Sequence, residues 1–153
     1  MAISVLMVCL GNICRSPLAE AALRQYAAQN AYDIIVDSAG TGDWHVGHPP
    51  DPRAQAVALR LGGIDISMLR GRQVTTDDFY RFDHIIAMDA SNLGNLRALA
   101  PKNAKADLSM LLDYAPGQLG QPVPDPYYDG DEAFEHVWRL VQGATKSFAS
   151  AKL

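Results

Sequence analysis

The sequence predicts an α/β fold: a parallel sheet with helices on both faces, built as a single domain over residues 1–153. Two observations predict it. Short, continuous apolar runs alternate with helical patterns along the chain, as in repeated strand–helix–strand units. A length of 153 residues with 48% hydrophobic and 20% charged residues is ordinary for one globular domain, which can bury well over half of its unfolded surface unaided by disulfides or metals.

The elements follow in order. Ile3–Val8 is an unbroken apolar run, fit for a strand buried on both faces. Ser16-Pro17 opens a helix, with serine as cap and proline at the first helical position, followed by Leu18, Ala19, Ala22, Leu23 and Tyr26 at helical spacing. Ile34–Val36 is a second strand that runs into Asp37-Ser38-Ala39-Gly40. Asp51-Pro52 repeats the cap-then-proline signal ahead of Ala54, Val57, Ala58 and Leu61, and Gly62-Gly63 stops that helix. A third strand covers Ile85–Met88, a helix covers Ser91–Ala100 and ends at Pro101, and a fourth strand falls near Ala106–Ser109. The last helix begins near Asp129 or Asp131, capped by Asp129 with Glu132 three residues on, and aligns Phe134, Val137, Val141, Ala144 and Phe148 on one face. Trp138, in that helix, reads as core.

Several functions are disfavoured by composition. A formal charge of −4 lacks the basic bias of a nucleic-acid or membrane-surface protein. No run approaches the length of a membrane span. The apolar start AISVLMVCL has no basic region before it and breaks at Gly11-Asn12, so it is a poor signal peptide. The two cysteines do not make a secreted disulfide framework, and the cytoplasm is the expected compartment.

Those cysteines, Cys9 and Cys14, stand in the stretch VCLGNICRSPLAEA, where the first strand gives way to the first helix. Ligands in such folds bind at the carboxyl ends of strands. Gly11 and Asn12 tolerate the positive φ that a sharp turn needs. A loop of Leu10, Gly11, Asn12, Ile13 and Cys14 can turn its backbone N–H groups inward around an anion, at the positive end of a helix. Arg15 can close that ring with a planar fork matching two phosphate oxygens. Cys9 then lies beneath the anion, in a field that favours its thiolate, and the Ser16 hydroxyl can donate to the sulfur while capping the helix. Cys-x5-Arg-Ser therefore reads as a phosphate cradle with a nucleophile at its floor. A lone cysteine at a strand end is more often a small buried hydrophobe, but the neighbours outweigh that account here. A zinc site from Cys9, Cys14, His45 and His48 would leave Arg15 beside a cation with no role. A Walker-type loop is excluded because no Gly-Lys-Ser/Thr follows.

Ester cleavage also needs a proton for the leaving oxygen, and two Asp-Pro pairs compete to supply it, at Asp51 and Asp125. A clean helical pattern follows Asp51, which suits a cap. Asp125 lies in a segment stiffened by Pro122, Pro124 and Pro126, and that segment on its own also fits a proline-rich turn with a solvated carboxylate. Trp44, Tyr127 and Tyr128 are candidate pocket walls for a planar aryl group. His45, His48, Arg53, Arg70 and Arg72 could bias the rim toward anionic substrates or be solvated surface charge.

The opening stretch resembles the signature of the low-molecular-weight protein tyrosine phosphatases. Further landmarks fall in family order: Asp37-Ser38, Gly42-Asp43-Trp44, Asp51-Pro52-Arg53-Ala54, Arg72-Gln73-Val74, Met88-Asp89 with Ser91-Asn92-Leu93, and Asp125-Pro126-Tyr127-Tyr128. The resemblance implies a four-stranded parallel sheet and a two-step reaction without metal or cofactor, in which Cys9 forms a cysteinyl-phosphate, Arg15 holds the phosphoryl group and Asp125 is the general acid. It implies phosphotyrosine proteins or small aryl phosphates as substrates, with inorganic phosphate or vanadate as inhibitors. It also supports a protective disulfide between Cys9 and Cys14, the other account of Cys14 being a buried spacer. A monomer is expected, with weak dimerisation as the alternative. Rival readings are an arsenate reductase on the same fold, whose thioredoxin-coupled form needs cysteines beyond Cys14, and a catalytically silent phosphoprotein-binding module, which should have lost Cys9 or Asp125. One position departs from the family: relatives often carry a histidine three residues before Arg72-Gln73, where this chain has Leu69. That histidine helps the residues matching Ser16 and Ser38 to hold the cradle asparagine, so Asn12 is expected to lack one partner.

Overall fold

The computed structural model describes residues 2–153. Its elements are β1 (Ile3–Cys9), α1 (Arg15–Gln29), β2 (Ile34–Gly40), α2 (Pro52–Gly62), a short α3 (Asp78–Arg81), β3 (His84–Ala87), α4 (Ala90–Leu99), β4 (Asp107–Met110), a 3-10 turn (Leu111–Tyr114) and α5 (Asp131–Lys152). The four strands are parallel and ordered β2-β1-β3-β4. The chain leaves β1 toward β2 on one side and supplies β3 on the other. The carboxyl end of β1 is therefore the point where ligands bind in such sheets.

Alternation along β1 divides the core into two layers. Val5, Met7 and Cys9 join the cluster built with Leu18 of α1, Val57 of α2 and Val137 and Phe148 of α5. Leu6 and Val8 join Phe79 of α3 and Leu93 and Leu96 of α4. Both faces of the sheet are covered, which is why β1 is apolar without interruption. Trp138 is buried in the first layer, as expected of it.

β2 is longer than the apolar run that announced it. Asp37-Ser38-Ala39-Gly40 continues the strand in register with β1 as far as the pair Cys9–Gly40. Tertiary pairing overrides the weak strand preference of these residues. Gly40 is required by contact: a Cβ there would lie 2.7 Å from the Leu10 carbonyl oxygen. The four-residue α3, Asp78–Arg81, is too short for periodicity to announce it. β4 sits one residue later than expected.

Two caps differ from expectation. α1 begins at Arg15, Cys14 occupies the cap position, and no side chain caps the helix. Ser16 is not the cap, because its hydroxyl turns inward to Cys9 and Asn12. α5 is preceded by Gly130 with no side-chain cap, so neither Asp129 nor Glu132 plays that part. α2 is as read: Asp51 Oδ1 accepts from the Arg53 amide at 2.8 Å, and Gly63 ends the helix at φ 65°. α4 begins at Ala90 and is capped by Asp89, which accepts from the Asn92 amide. Among the described residues no helix is long and apolar enough to cross a membrane.

Candidate active site

The end of β1 and the start of α1 place Cys9 and Arg15 at opposite ends of one tight loop. Asn12 turns that loop at φ 56°, in the left-handed region that asparagine tolerates better than most residues. Its amide donates to the Cys9 sulfur at 3.3 Å, and the Ser16 hydroxyl lies 3.0 Å from the same sulfur. The backbone amides of Gly11, Ile13 and Cys14 have no acceptor within the protein among the described residues. They are free to bind an anion above the thiol.

Asn12 lacks no partner, contrary to expectation. Its Nδ2 donates to Ser16 at 2.8 Å and to Ser38 at 2.9 Å, and its Oδ1 accepts from the Arg72 amide at 3.0 Å. All three polar valences of the side chain that matter for its orientation are thus filled. Leu69 packs against the first core layer instead of supplying a polar contact.

Arg15 is a buried cation, its side chain only 4% exposed. Burial would lower its pKa, but the Cys9 sulfur and the hydrogen-bonded Asp89 carboxylate outweigh that and raise it. Nη1 donates to Asp89 Oδ2 at 2.7 Å and to the Val123 carbonyl at 3.1 Å. Nε and Nη2 have no hydrogen-bonded acceptor among the described residues; the Asp125 carboxylate lies 3.8 Å from Nη2. Two donors of a desolvated guanidinium are therefore free, and Arg15 lines the same cleft as Cys9, an arrangement suited to a tetrahedral oxyanion. Asp89 serves two elements at once, since Oδ2 holds Arg15 while Oδ1 caps α4.

Asp125 reaches the cleft on the segment between the 3-10 turn and α5. Its Oδ1 accepts from the Tyr127 amide at 3.1 Å. Val123 ties that segment to β3's exit by donating to the Met88 carbonyl. Arg53 ties it to α2: Nη1 donates to Asp129 O and Nη2 to Tyr127 O, both at 2.9 Å. Asp51 fixes Arg53 in turn through Nε and Nη2, each at 3.0 Å. Burial would raise the Asp51 pKa, but hydrogen bonds from Arg53 outweigh it and lower it. Asp51 is therefore a cap and an anchor, and it stands outside the cleft lining.

The cleft has a volume of about 320 Å³. It is lined by the loop residues Cys9, Leu10, Gly11, Ile13, Cys14 and Arg15 and by Trp44, His45, Asp125, Tyr127 and Tyr128. Tyr127 and Tyr128 meet edge-to-face at 5.0 Å, and Trp44 and Tyr128 remain largely exposed. Among the rim candidates only His45 lines the cleft. Arg72 pairs with Asp37 and Asp78, Arg70 donates to its own loop, and Arg53 serves the Asp125 segment. Burial pushes the Cys14 thiol pKa up, with the charges of Asp51, Cys9 and Asp125 adding to it, so Cys14 stays a thiol. Both cysteines are unpaired. Ser16, Ser38 and Asn12 come together beneath the loop as expected. Sequence reasoning missed Glu20, Asp89 as the partner of Arg15, and Arg53 as the anchor of Asp125.

Comparison with known proteins agrees with this arrangement. The family described as low molecular weight phosphotyrosine protein phosphatase matches residues 4–153. The low molecular weight protein-tyrosine-phosphatase YfkJ of Bacillus subtilis is 48% identical over 142 residues, covering 92% of this chain and 89% of that protein. The low molecular weight phosphotyrosine protein phosphatase of Sus scrofa is 44% identical over 149 residues, 95% and 92% of the two chains. The crystal structure of YfkJ from Bacillus subtilis superposes with a TM-score of 0.90 at 44% identity, over 99% of this chain and 94% of that one. On sequence, fold and site together, the chain belongs to the low molecular weight phosphotyrosine protein phosphatases, a family of enzymes.

Proposed function

We propose that this protein hydrolyses phosphotyrosine in proteins, and small aryl phosphates, through a cysteinyl-phosphate intermediate. The carrying observation is the buried Arg15 fork, which keeps two donors free and lines the same cleft as Cys9, with the Asp125 carboxyl 3.8 Å from Nη2. Arg15 and the loop amides hold the three non-bridging oxygens. The Cys9 thiolate attacks phosphorus, a sulfur–phosphorus bond forms, and the bond to the aryl oxygen breaks. Asp125 gives that oxygen its proton. The Asp125 carboxylate then takes a proton from water, whose oxygen displaces sulfur and releases inorganic phosphate. Charge that builds on the equatorial oxygens meets donors already in place, so little reorganisation is needed. Trp44, Tyr127 and Tyr128 offer faces and edges to an aromatic ring, which favours aryl over alkyl esters. The protein works in the cytoplasm as a monomer or weak dimer, with phosphate and vanadate as inhibitors.

The test is hydrolysis of para-nitrophenyl phosphate and of a phosphotyrosine peptide in chelator, with and without vanadate. Turnover in chelator that vanadate blocks supports the reading. A protein that binds the peptide without turnover would be the silent module instead.

Two further results are expected. Arg53→Ala frees the segment carrying Asp125, and kcat for a phenolic substrate should fall roughly ten- to hundredfold, the usual cost of misplacing a catalytic group. Dinitrophenyl phosphate, whose leaving group needs no proton, should be nearly unaffected. For Cys14, peroxide should inactivate the wild-type enzyme and dithiothreitol should restore it. Oxidised Cys9 reacts with the Cys14 thiol, forming the disulfide and releasing water, which stops further oxidation. Cys14→Ser should lose activity irreversibly under the same treatment; equal recovery would reduce Cys14 to packing.

A further inference from the structure

Glu20 is a carboxylate 2% exposed, on the face of α1 beneath the loop, and it touches neither substrate nor the reacting sulfur. Its Oε2 accepts from Arg24 Nη2 at 2.6 Å and its Oε1 accepts from the Ser38 hydroxyl, also at 2.6 Å. A buried carboxylate is retained at a cost unless it is paired and hydrogen-bonded, so its presence one turn below Ser16 asks for a reason. We propose that Glu20 is a positioning residue for the nucleophile: it sets the direction of the hydrogen bonds that run from Ser38 through Asn12 and Ser16 to Cys9. The proposal rests on Cys9 as nucleophile and extends that reading.

A carboxylate can only accept, so the single Ser38 proton points at Glu20. The Ser38 oxygen must then accept from Asn12 Nδ2, at 2.9 Å. The other Nδ2 hydrogen goes to the Ser16 oxygen, at 2.8 Å, and the Arg72 amide holds Oδ1 so that the amide group cannot flip. Ser16, now an acceptor from Asn12, has its own proton left to donate. Its near acceptor is the Cys9 sulfur at 3.0 Å; the Ala39 carbonyl is at the outer limit, 3.5 Å. A hydroxyl donating to sulfur favours thiolate over thiol. Without Glu20, the Ser38 proton is free to turn toward Asn12, and the ordering of the chain is lost. Arg24 balances the charge from the solvent side, and no histidine is needed.

The test reads Cys9 itself. Iodoacetate alkylation of Cys9, followed by peptide mass spectrometry, is measured against pH in wild type, Glu20→Met, Glu20→Gln and Ser38→Ala, with folding checked by circular dichroism. Glu20→Met keeps the volume and removes the acceptor, and its alkylation midpoint should rise by about one pH unit, with kcat/KM falling up to about tenfold on the acid side of the two midpoints. Glu20→Gln breaks the ion pair as fully but still offers an amide oxygen to Ser38, so its midpoint should stay near wild type. A structural role for the ion pair would impair both variants alike, and that result overturns the proposal. An unmoved midpoint in folded Glu20→Met also overturns it. Should Glu20→Met not fold, Ser38→Ala cuts the relay without touching the ion pair, and an unmoved midpoint there is decisive against it. If wild-type Cys9 is not alkylated in preference to Cys14 near neutral pH, the nucleophile assignment fails, not the relay.

Discussion

Cys9→Ser abolishes turnover, by about 10⁴-fold or more, while phosphate and vanadate binding survive. The size follows from the nature of the step: a neutral serine hydroxyl is a far weaker nucleophile than a thiolate, and losing an activated nucleophile costs many orders of magnitude. Binding survives because the anion is held by other atoms. The free amides of Gly11, Ile13 and Cys14 and the Nε and Nη2 donors of Arg15 are untouched by the substitution. Arg15→Ala supplies the contrast and should lose turnover and anion binding together, since it removes the buried fork that serves both. Phosphate-dependent thermal stabilisation, measured beside para-nitrophenyl phosphate hydrolysis, separates the two variants. One-tenth of wild-type activity in Cys9→Ser would end the covalent mechanism.

Asp125→Asn carries the second large effect, and its signature is selectivity among substrates. A general acid matters only while the departing oxygen needs a proton. Loss of about 10²–10⁴-fold is expected for phenyl phosphate, shrinking steeply for dinitrophenyl phosphate, whose leaving group departs as a stable anion. Asp51→Ala is a graded comparison, not a silent control. It removes a helix cap worth about 1 kcal/mol, and it also releases Arg53, which donates to the Tyr127 and Asp129 carbonyls beside Asp125. Its kinetic cost should therefore resemble that of Arg53→Ala and stay well below that of Asp125→Asn. A leaving-group dependence that is flat in wild type, turns steep in Asp51→Ala and stays flat in Asp125→Asn reverses the assignment of the acid.

The strands and the helix pattern were legible because each carries a local signal. The Ile3–Val8 run is apolar on both faces since both faces are covered, and Asp51-Pro52 with Gly62-Gly63 brackets α2 by backbone chemistry alone. The errors are long-range. Ser16 looks like a cap, yet Asn12 and Cys9 draw its hydroxyl inward, and nothing local says so. Asp37–Gly40 looks like a loop and becomes strand because β1 pairs with it. In the site, the Cys9-to-Ser16 loop was readable as a cradle from its own spacing. The partners of Arg15 were not, because Asp89 and Val123 are 74 and 108 positions away and meet it only through sheet order. Arg53 and Arg72 looked like rim charges; one anchors the segment bearing Asp125, and the other serves the loop through its backbone amide. Leu69 offers Asn12 no polar contact, and the donor to Asn12 Oδ1 is the Arg72 backbone amide, which no side-chain identity announces.

The shared Asp89 carboxylate has a thermodynamic consequence. One oxygen terminates α4 and the other orients the guanidinium that receives the anion. Fraying of the first turn of α4 and disorder of Arg15 are then one opening event seen from two sides. An anion that engages Arg15 suppresses that opening by mass action, so slow amide exchange at Asn92 becomes a report of ligand occupancy at the other end of the same carboxylate.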